Sequence, residues 1–242
     1  MKTLEEEPPL NSETGLPGFI DVLLYPVSLN GIIQIGICLF FYGIVGVIIR
    51  FVHVFGRLGA LLALVVYLVL AGYVAYYFGY CVFDSSRGGR RAPGIWAPHA
   101  PDMGAQLSQL ALIVASVTLC FLHVGVYYGF TRRIDLPFWL LCGLGAFLFP
   151  MTLLAVVLFD TGGALNPVLI IGSIVRTFVS YCGLILSFCA FGGLIALAVW
   201  TLGRSLLFRV LWSAAALYLL LVAAHLLGRF YWLQKDKLEW DL

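Results

Sequence analysis

Residues Leu58–Phe83 read LGALLALVVYLVLAGYVAYYFGYCVF and contain no Asp, Glu, Lys or Arg. A hydrocarbon core about 30 Å thick is crossed by roughly 20 apolar residues of helix, so this run is long enough to span a bilayer. Five further runs of the chain are similarly long and uncharged: Gly31–Ile49, Met103–Thr131, Leu136–Phe159, Thr177–Gly203 and Val210–Gly228. The sequence therefore predicts six membrane spans.

The composition supports the same class. Hydrophobic residues make up 62% of the chain, charged residues 11%, and the mean hydropathy is +1.02. Soluble domains carry about 25% charged residues, which makes a water-soluble core of this size a poor fit. Spanning strands of a barrel would alternate apolar and polar residues, and these runs do not. We therefore expect an all-α polytopic transmembrane helical bundle.

The polar residues divide the chain into three parts. Residues 1–17 are acidic and proline-containing, and they predict a flexible polar tail. Residues 18–232 form the predicted six-helix transmembrane domain, and residues 233–242 a polar C-terminal tail.

Two apolar stretches are too short to span a bilayer and predict short interfacial helices. The first is Phe19–Ser28, before the first span. The second, Pro167–Val175, begins at the pair Asn166-Pro167, which favours a helix start with Asn166 as the N-cap.

An even number of spans places both termini on one side of the membrane. Lys and Arg residues number eight on that side: Lys2, Arg87, Arg90, Arg91, Arg176, Arg229, Lys235 and Lys237. The other side has six: Arg50, Arg57, Arg132, Arg133, Arg204 and Arg209. The positive-inside rule then favours cytoplasmic N- and C-termini.

One titratable residue, His123, lies deep in a predicted span. Counting from the span ends places it level with Tyr67 on the neighbouring span, so we predict a buried hydrogen-bonded pair. A proton relay or a cofactor ligand is the alternative. A haem would usually need a second axial ligand at this depth, and no other His qualifies. The six cysteines show no zinc-site spacing, so neither a metal nor a cofactor is predicted.

Polar residues also gather at the surface predicted to be cytoplasmic. They are Asp160, Asn166, Arg176, Tyr181, His225 and Arg229. Counting from the span ends places Tyr181, early in the fifth span, beside His225. One interpretation is helix capping with an ion pair from Asp160 to Arg176 or Arg229. The other is a shallow polar cleft for a lipid headgroup or a solute, since a helix start favours an anionic group.

The loop after the second span contains three arginines, Arg87, Arg90 and Arg91. Basic residues near a membrane surface attract anionic lipid phosphates, so the loop is a candidate anionic-lipid site. It is also explained as a positive-inside anchor without a further role.

Several short strings resemble a known family. They are Gly72-Tyr73-Val74, Ser85-Ser86-Arg87-Gly88, Phe149-Pro150-Met151, Phe159-Asp160, Ala164-Leu165-Asn166-Pro167 and His225-Leu226-Leu227-Gly228-Arg229-Phe230-Tyr231. From about residue 18 to 242 the chain resembles a family of uncharacterised bacterial polytopic membrane proteins, distantly similar to Yip1-like membrane domains. The resemblance implies a multi-pass protein of the bacterial cytoplasmic membrane and no particular mechanism.

Three functional hypotheses remain open. No carboxylate lies in mid-span and no catalytic or phosphate-binding motif is present, which favours a non-enzymatic protein. The first hypothesis is therefore a protein that organises membrane lipids or other membrane subunits, with no nucleic-acid partner. The alternative is a small-molecule or lipid permease using the cleft near Asp160, Arg176 and His225. The third is an intramembrane enzyme acting on lipid.

Overall fold

The computed structural model describes residues 22–94, 103–201 and 206–240, and within them the chain is helical apart from short connections. Their α-helices are α1 (Leu29–Ser86), α2 (Met103–Thr131), α3 (Leu136–Phe159), α4 (Pro167–Arg176), α5 (Phe178–Thr201) and α6 (Leu206–Leu238). Short 3-10 helices occur at Tyr25–Val27 and Gly162–Leu165. The expected all-α architecture is confirmed, whereas the predicted tail at residues 1–17 lies outside the described residues.

The stretch labelled α1 consists of two helical spans, Leu29–Val47 and Leu58–Ser86, which form a hairpin. The helical backbone breaks at Gly56, whose φ of 57° and ψ of −134° suit glycine alone. The Gln34 side-chain amide donates to the Tyr73 hydroxyl at 2.5 Å. These residues lie roughly 25 Å or more along their arms from Gly56, at 1.5 Å per residue. The two arms must therefore fold back on each other.

Helices α2 and α3 form the next hairpin. The Asp135 side chain caps α3 by accepting from the Phe138 backbone N–H at 3.4 Å, and a proline follows at the start of the helix. The second half of α3 is fully enclosed, with Met151, Leu154 and Val156 at 0% exposure. This half of α3 is the centre of the hydrophobic core.

The predicted short helix after the fourth span is present as α4. The Asn166 side chain accepts from the Val168 N–H at 3.0 Å, which confirms the predicted cap. Helices α4 and α5 then meet at a bend of 102°. The described residues contain five helices long and apolar enough to span a membrane, or six if this bent pair counts as one span. They are the helices of a multi-pass membrane protein.

The hydrophobic core lies at one end of the bundle. It contains Tyr25, apolar residues between Tyr77 and Val82 at the end of α1, Ala92, the second half of α3, the start of α5 and the second half of α6. We call this the closed end, and it is where the described N- and C-terminal residues lie. At the opposite end, which we call the open end, α1 and α2 expose large apolar residues such as Leu61, Leu122 and Phe130.

Candidate functional site

The polar residues predicted to form a cleft are at the closed end, where the structure gives several of them partners outside the predicted set. Asp160 ends α3 in a left-handed conformation, with φ 48°, and its side chain is exposed. The Arg176 guanidinium pairs with Glu239 at 2.6 Å instead of with Asp160. Both partners are exposed, so the pair contributes at most about 1 kcal/mol. Arg229 is half-buried on α6.

Tyr181 and His225 were expected side by side, and the structure gives them different neighbours. The buried Tyr181 hydroxyl donates to the Phe147 carbonyl, and its ring lies edge-on to Phe147 with 5.4 Å between centroids. The His225 ring stacks on Tyr25 with 4.1 Å between centroids and 14° between planes. Counting residues from a membrane surface gives the depth of a side chain but not its direction around the helix. That is why the predicted contact was wrong.

His225 belongs to a buried polar cluster with Tyr25 and Ser85. The Ser85 hydroxyl lies 2.8 Å from His225 Nδ1, and each of these residues exposes only 2% of its surface. Burial, and then the nearby Cys81, raises the pKa of the Tyr25 hydroxyl above its ordinary value of 10.0. Tyr25 is therefore a neutral phenol at physiological pH. The cluster joins three separate parts of the chain.

Close backbone packing makes this cluster possible. At Gly228, one helical turn beyond His225, a Cβ atom would lie 2.5 Å from the Ser85 Cβ and 2.9 Å from the Ser86 backbone nitrogen. A glycine is therefore required for the end of α1 to reach α6. A serine hydroxyl beside an imidazole is also the pairing used in nucleophilic catalysis. Here both groups are enclosed by the core, and the described contact is a buried hydrogen bond between α1 and α6.

Of the predicted polar tail at residues 233–242, the structure describes residues 233–240, which continue α6 and pack beside α4. Helix α6 continues to Leu238, which is 2% exposed. The Trp240 indole N–H donates to the Ser173 hydroxyl at 3.0 Å, and its ring lies 5.3 Å from that of Phe159. Leu238 and Trp240 are apolar residues within a charged stretch of sequence. They determine the conformation of this segment, because they complete the core beside α4.

The predicted pair of His123 and Tyr67 is also wrong. His123 Nε2 lies 2.9 Å from the Leu141 carbonyl oxygen, and the Tyr67 side chain is 56% exposed on α1. A carbonyl only accepts, so Nε2 carries a proton and donates it to this hydrogen bond. The partner of His123 is thus α3 and not α1.

His123 lines a groove of about 600 Å³ between α2 and α3, on the outside of the bundle. Small-molecule sites in proteins usually have volumes of about 300–1,000 Å³. The groove is mostly apolar, with Leu119, Leu122 and Val126 from α2. Tyr127 also lines it and donates to Asp135 at 2.8 Å, at the open end. Hydropathy alone gave no signal for this groove, since it depends on how the two helices cross.

The predicted basic loop begins at the end of α1. All three arginines are exposed. The Arg87 guanidinium carbon lies 4.0 Å from the centroid of the Phe83 ring, a favourable cation–π contact. The Tyr77 hydroxyl donates to the Pro93 carbonyl at 3.2 Å, which holds the first part of the loop against the bundle. Residues 95–102, including Trp96, lie outside the described residues.

The cysteines of the described part of the chain differ in burial, and they form no metal site there. Cys38, Cys81 and Cys120 are buried, whereas Cys182 and Cys189 are exposed on α5. Among these described residues, no three His, Cys, Asp or Glu side chains are grouped so that they could hold a metal ion.

No protein-family model, curated protein or solved structure matches this chain significantly. The fold and the placement of its polar side chains are therefore the basis for a functional proposal.

Proposed function

We propose that this chain is a non-enzymatic integral membrane protein that organises membrane partners against the groove side of its α2–α3 hairpin. Its multi-pass helical fold supports a place in the bilayer. The resemblance to bacterial polytopic proteins and the arginine distribution support a bacterial cytoplasmic membrane with cytoplasmic termini.

The observation that carries the proposal is the unequal burial of α2 and α3. In the apolar stretch of α2 only 11% of the residues are buried, compared with 50% in the apolar stretch of α3. Helix α2 therefore contacts the bundle along a narrow side and presents the rest to the membrane. Interfaces between membrane helices depend on van der Waals packing and hydrogen bonds. The groove offers an apolar wall for packing, and the Tyr127 hydroxyl, whose proton goes to Asp135, can still accept a hydrogen bond from a partner.

The other polar groups support this choice. Ser85 and His225 are enclosed in the core, and Arg176 is paired with Glu239. Two of the three residues named for a permease cleft are thus engaged in contacts within the bundle.

The experiment is purification in a mild detergent followed by native mass spectrometry. We expect the chain to retain a lipid or a second membrane subunit. The Leu122→Trp variant fills the groove and should lose it. Leu186→Trp is the matched control, because Leu186 is 74% exposed on α5 and lies away from the groove. Equal retention by both variants would contradict the proposal. So would robust solute flux into liposomes that Asp160→Ala abolishes.

A further inference from the structure

We infer that the groove between α2 and α3 binds one anionic phospholipid of the bilayer, with an acyl chain in the groove and the phosphate at Arg132 and Arg133. This inference rests on the proposed function, because it names the partner of that same surface. Its basis is the shape of the groove, its apolar wall and the charge at its mouth.

The chain is basic at the open end of the groove. The connection between α2 and α3 at this end contains one carboxylate, Asp135, and two of its four residues are arginines, Arg132 and Arg133. These arginines directly follow the last residue of α2, next to the groove. A surface of this charge favours an anionic headgroup over a zwitterionic one.

Arg132 and Arg133 are available to a phosphate. Both are exposed, and within the part of the chain that the structure describes neither forms an ion pair. The Arg132 guanidinium carbon lies 5.7 Å from the centroid of the Tyr128 ring. Asp135 accepts the Tyr127 hydroxyl on both carboxylate oxygens, each at 2.8 Å. Asp135 is therefore hydrogen-bonded to Tyr127, and neither guanidinium group lies within ion-pair distance of it.

The depths of these residues match the parts of a phospholipid. Helix α2 has 29 residues, which corresponds to a length of about 43 Å, so it exceeds a hydrocarbon core of about 30 Å. The end of α2 thus reaches the headgroup level, where phosphates lie. Tyr127 is then near the hydrocarbon boundary, and His123 is about one turn deeper. Below them, the apolar residues Leu119 and Leu122 lie at the depth of an acyl chain.

This placement differs from the lipid site predicted from the sequence. The predicted site, at Arg87, Arg90 and Arg91, follows α1 on the opposite side of the membrane. There the Arg87 guanidinium carbon lies 4.0 Å from the Phe83 ring centroid, a closer contact than the 5.7 Å between Arg132 and Tyr128. The two sites can therefore be separated by variants, since each has its own arginines.

The test uses the full chain in nanodiscs of equal parts phosphatidylglycerol and phosphatidylethanolamine. Retained lipid is counted by native mass spectrometry after release into mild detergent. We expect one phosphatidylglycerol per chain, retained at least fivefold over phosphatidylethanolamine. The double variant Arg132→Gln/Arg133→Gln should lose the headgroup preference, and Leu122→Trp should lose the lipid. The controls Arg91→Gln and Leu186→Trp should behave like the parent chain.

Three outcomes would overturn the inference. They are equal retention of both lipids by the parent chain, retention of phosphatidylglycerol by Leu122→Trp, and loss of the preference in Arg91→Gln alone. Retention of a second copy or another subunit in place of lipid overturns it too, but leaves the proposed function intact. Solute flux without any retained partner contradicts both. A thermal-unfolding check on each variant shows whether a loss reflects binding or misfolding.

Discussion

Ser85 and His225 are 140 positions apart in the sequence, and their side chains lie 2.8 Å apart in the core of the closed end. The contact joins the last turn of the α1 hairpin to α6. Tyr25 stacks on the face of the imidazole, which brings in the segment that precedes α1. One buried histidine thus connects both ends of the described chain.

Removal of the Ser85 hydroxyl should weaken this connection. Side-chain hydrogen bonds within membranes contribute about 0.6–1.7 kcal/mol. We expect Ser85→Ala to lower the free energy of unfolding by about 1 kcal/mol, measured by SDS titration of the protein in mixed micelles. Ser187→Ala is the control, because its hydroxyl donates to the Gly183 carbonyl of its own helix. An equal loss in both variants would show that the contact to His225 has no special role.

Gly228→Ala should destabilise the protein more strongly. Its Cβ would overlap the end of α1, with Ser85 Cβ at 2.5 Å and the Val82 carbonyl oxygen still closer. Overpacking of this kind costs about 1–3 kcal/mol or more, so we expect a marked fall in the midpoint of thermal unfolding. Gly183→Ala provides the comparison, since no atom lies within 4 Å of its added methyl group. A Gly228→Ala protein as stable as its parent would refute the close approach of α1 and α6.

Trp240 should contribute more stability than the neighbouring ion pair. Trp240→Ala removes a buried ring beside Phe159, and truncations of this size cost about 3 kcal/mol. Glu239→Gln breaks an exposed salt bridge and should cost less than about 1 kcal/mol. Limited proteolysis of the C-terminal residues reports the difference, with rapid cleavage expected only for Trp240→Ala. Rapid cleavage of the parent chain would mean that this segment is not packed against α4.

Asp135 should make stability depend on pH at the acidic end of the range. The hydrogen bond from Tyr127 holds the pKa of this carboxyl below its ordinary value of 3.8. The contribution of the ionised group is therefore complete above that ordinary value and is lost as the pH falls through the lowered one. The midpoint temperature of unfolding should decrease in the parent chain as the pH is lowered below about 4, and it should decrease less in Asp135→Asn. Parallel curves would show that the carboxylate makes no net contribution.

The limits of helices that depend only on neighbouring residues in the chain were predictable from the sequence. Runs of apolar residues between charges gave the limits of α2 and α3, and the pair Asn166-Pro167 gave the start of α4. The span expected at Thr177–Gly203 is α5 (Phe178–Thr201), which follows the short helix α4 across a bend of 102°. A hydropathy run shows where apolar residues lie, but it does not show where the backbone turns.

The side-chain neighbours within the site were not predictable in this way. In lipid all faces of a helix are apolar, so the sequence carries little information on which face meets the bundle. His123 and His225 were therefore placed at plausible depths but given the wrong partners. The packed C-terminal segment had a signal that was missed, since Leu238 and Trp240 are apolar residues within a charged stretch. The groove follows from the crossing of α2 and α3, which only the three-dimensional structure gives.

The central claim is that this chain spans a bilayer several times, with the closed end on one side of the membrane and the open end on the other. Labelling of single introduced cysteines with a membrane-impermeant maleimide, before and after permeabilisation of cells, tests it most directly. The six native cysteines are first replaced by serine or alanine in a variant verified to fold. We predict that Arg91→Cys and Glu239→Cys share one labelling pattern and that Arg133→Cys shows the opposite one. Identical labelling of all three positions would contradict the account.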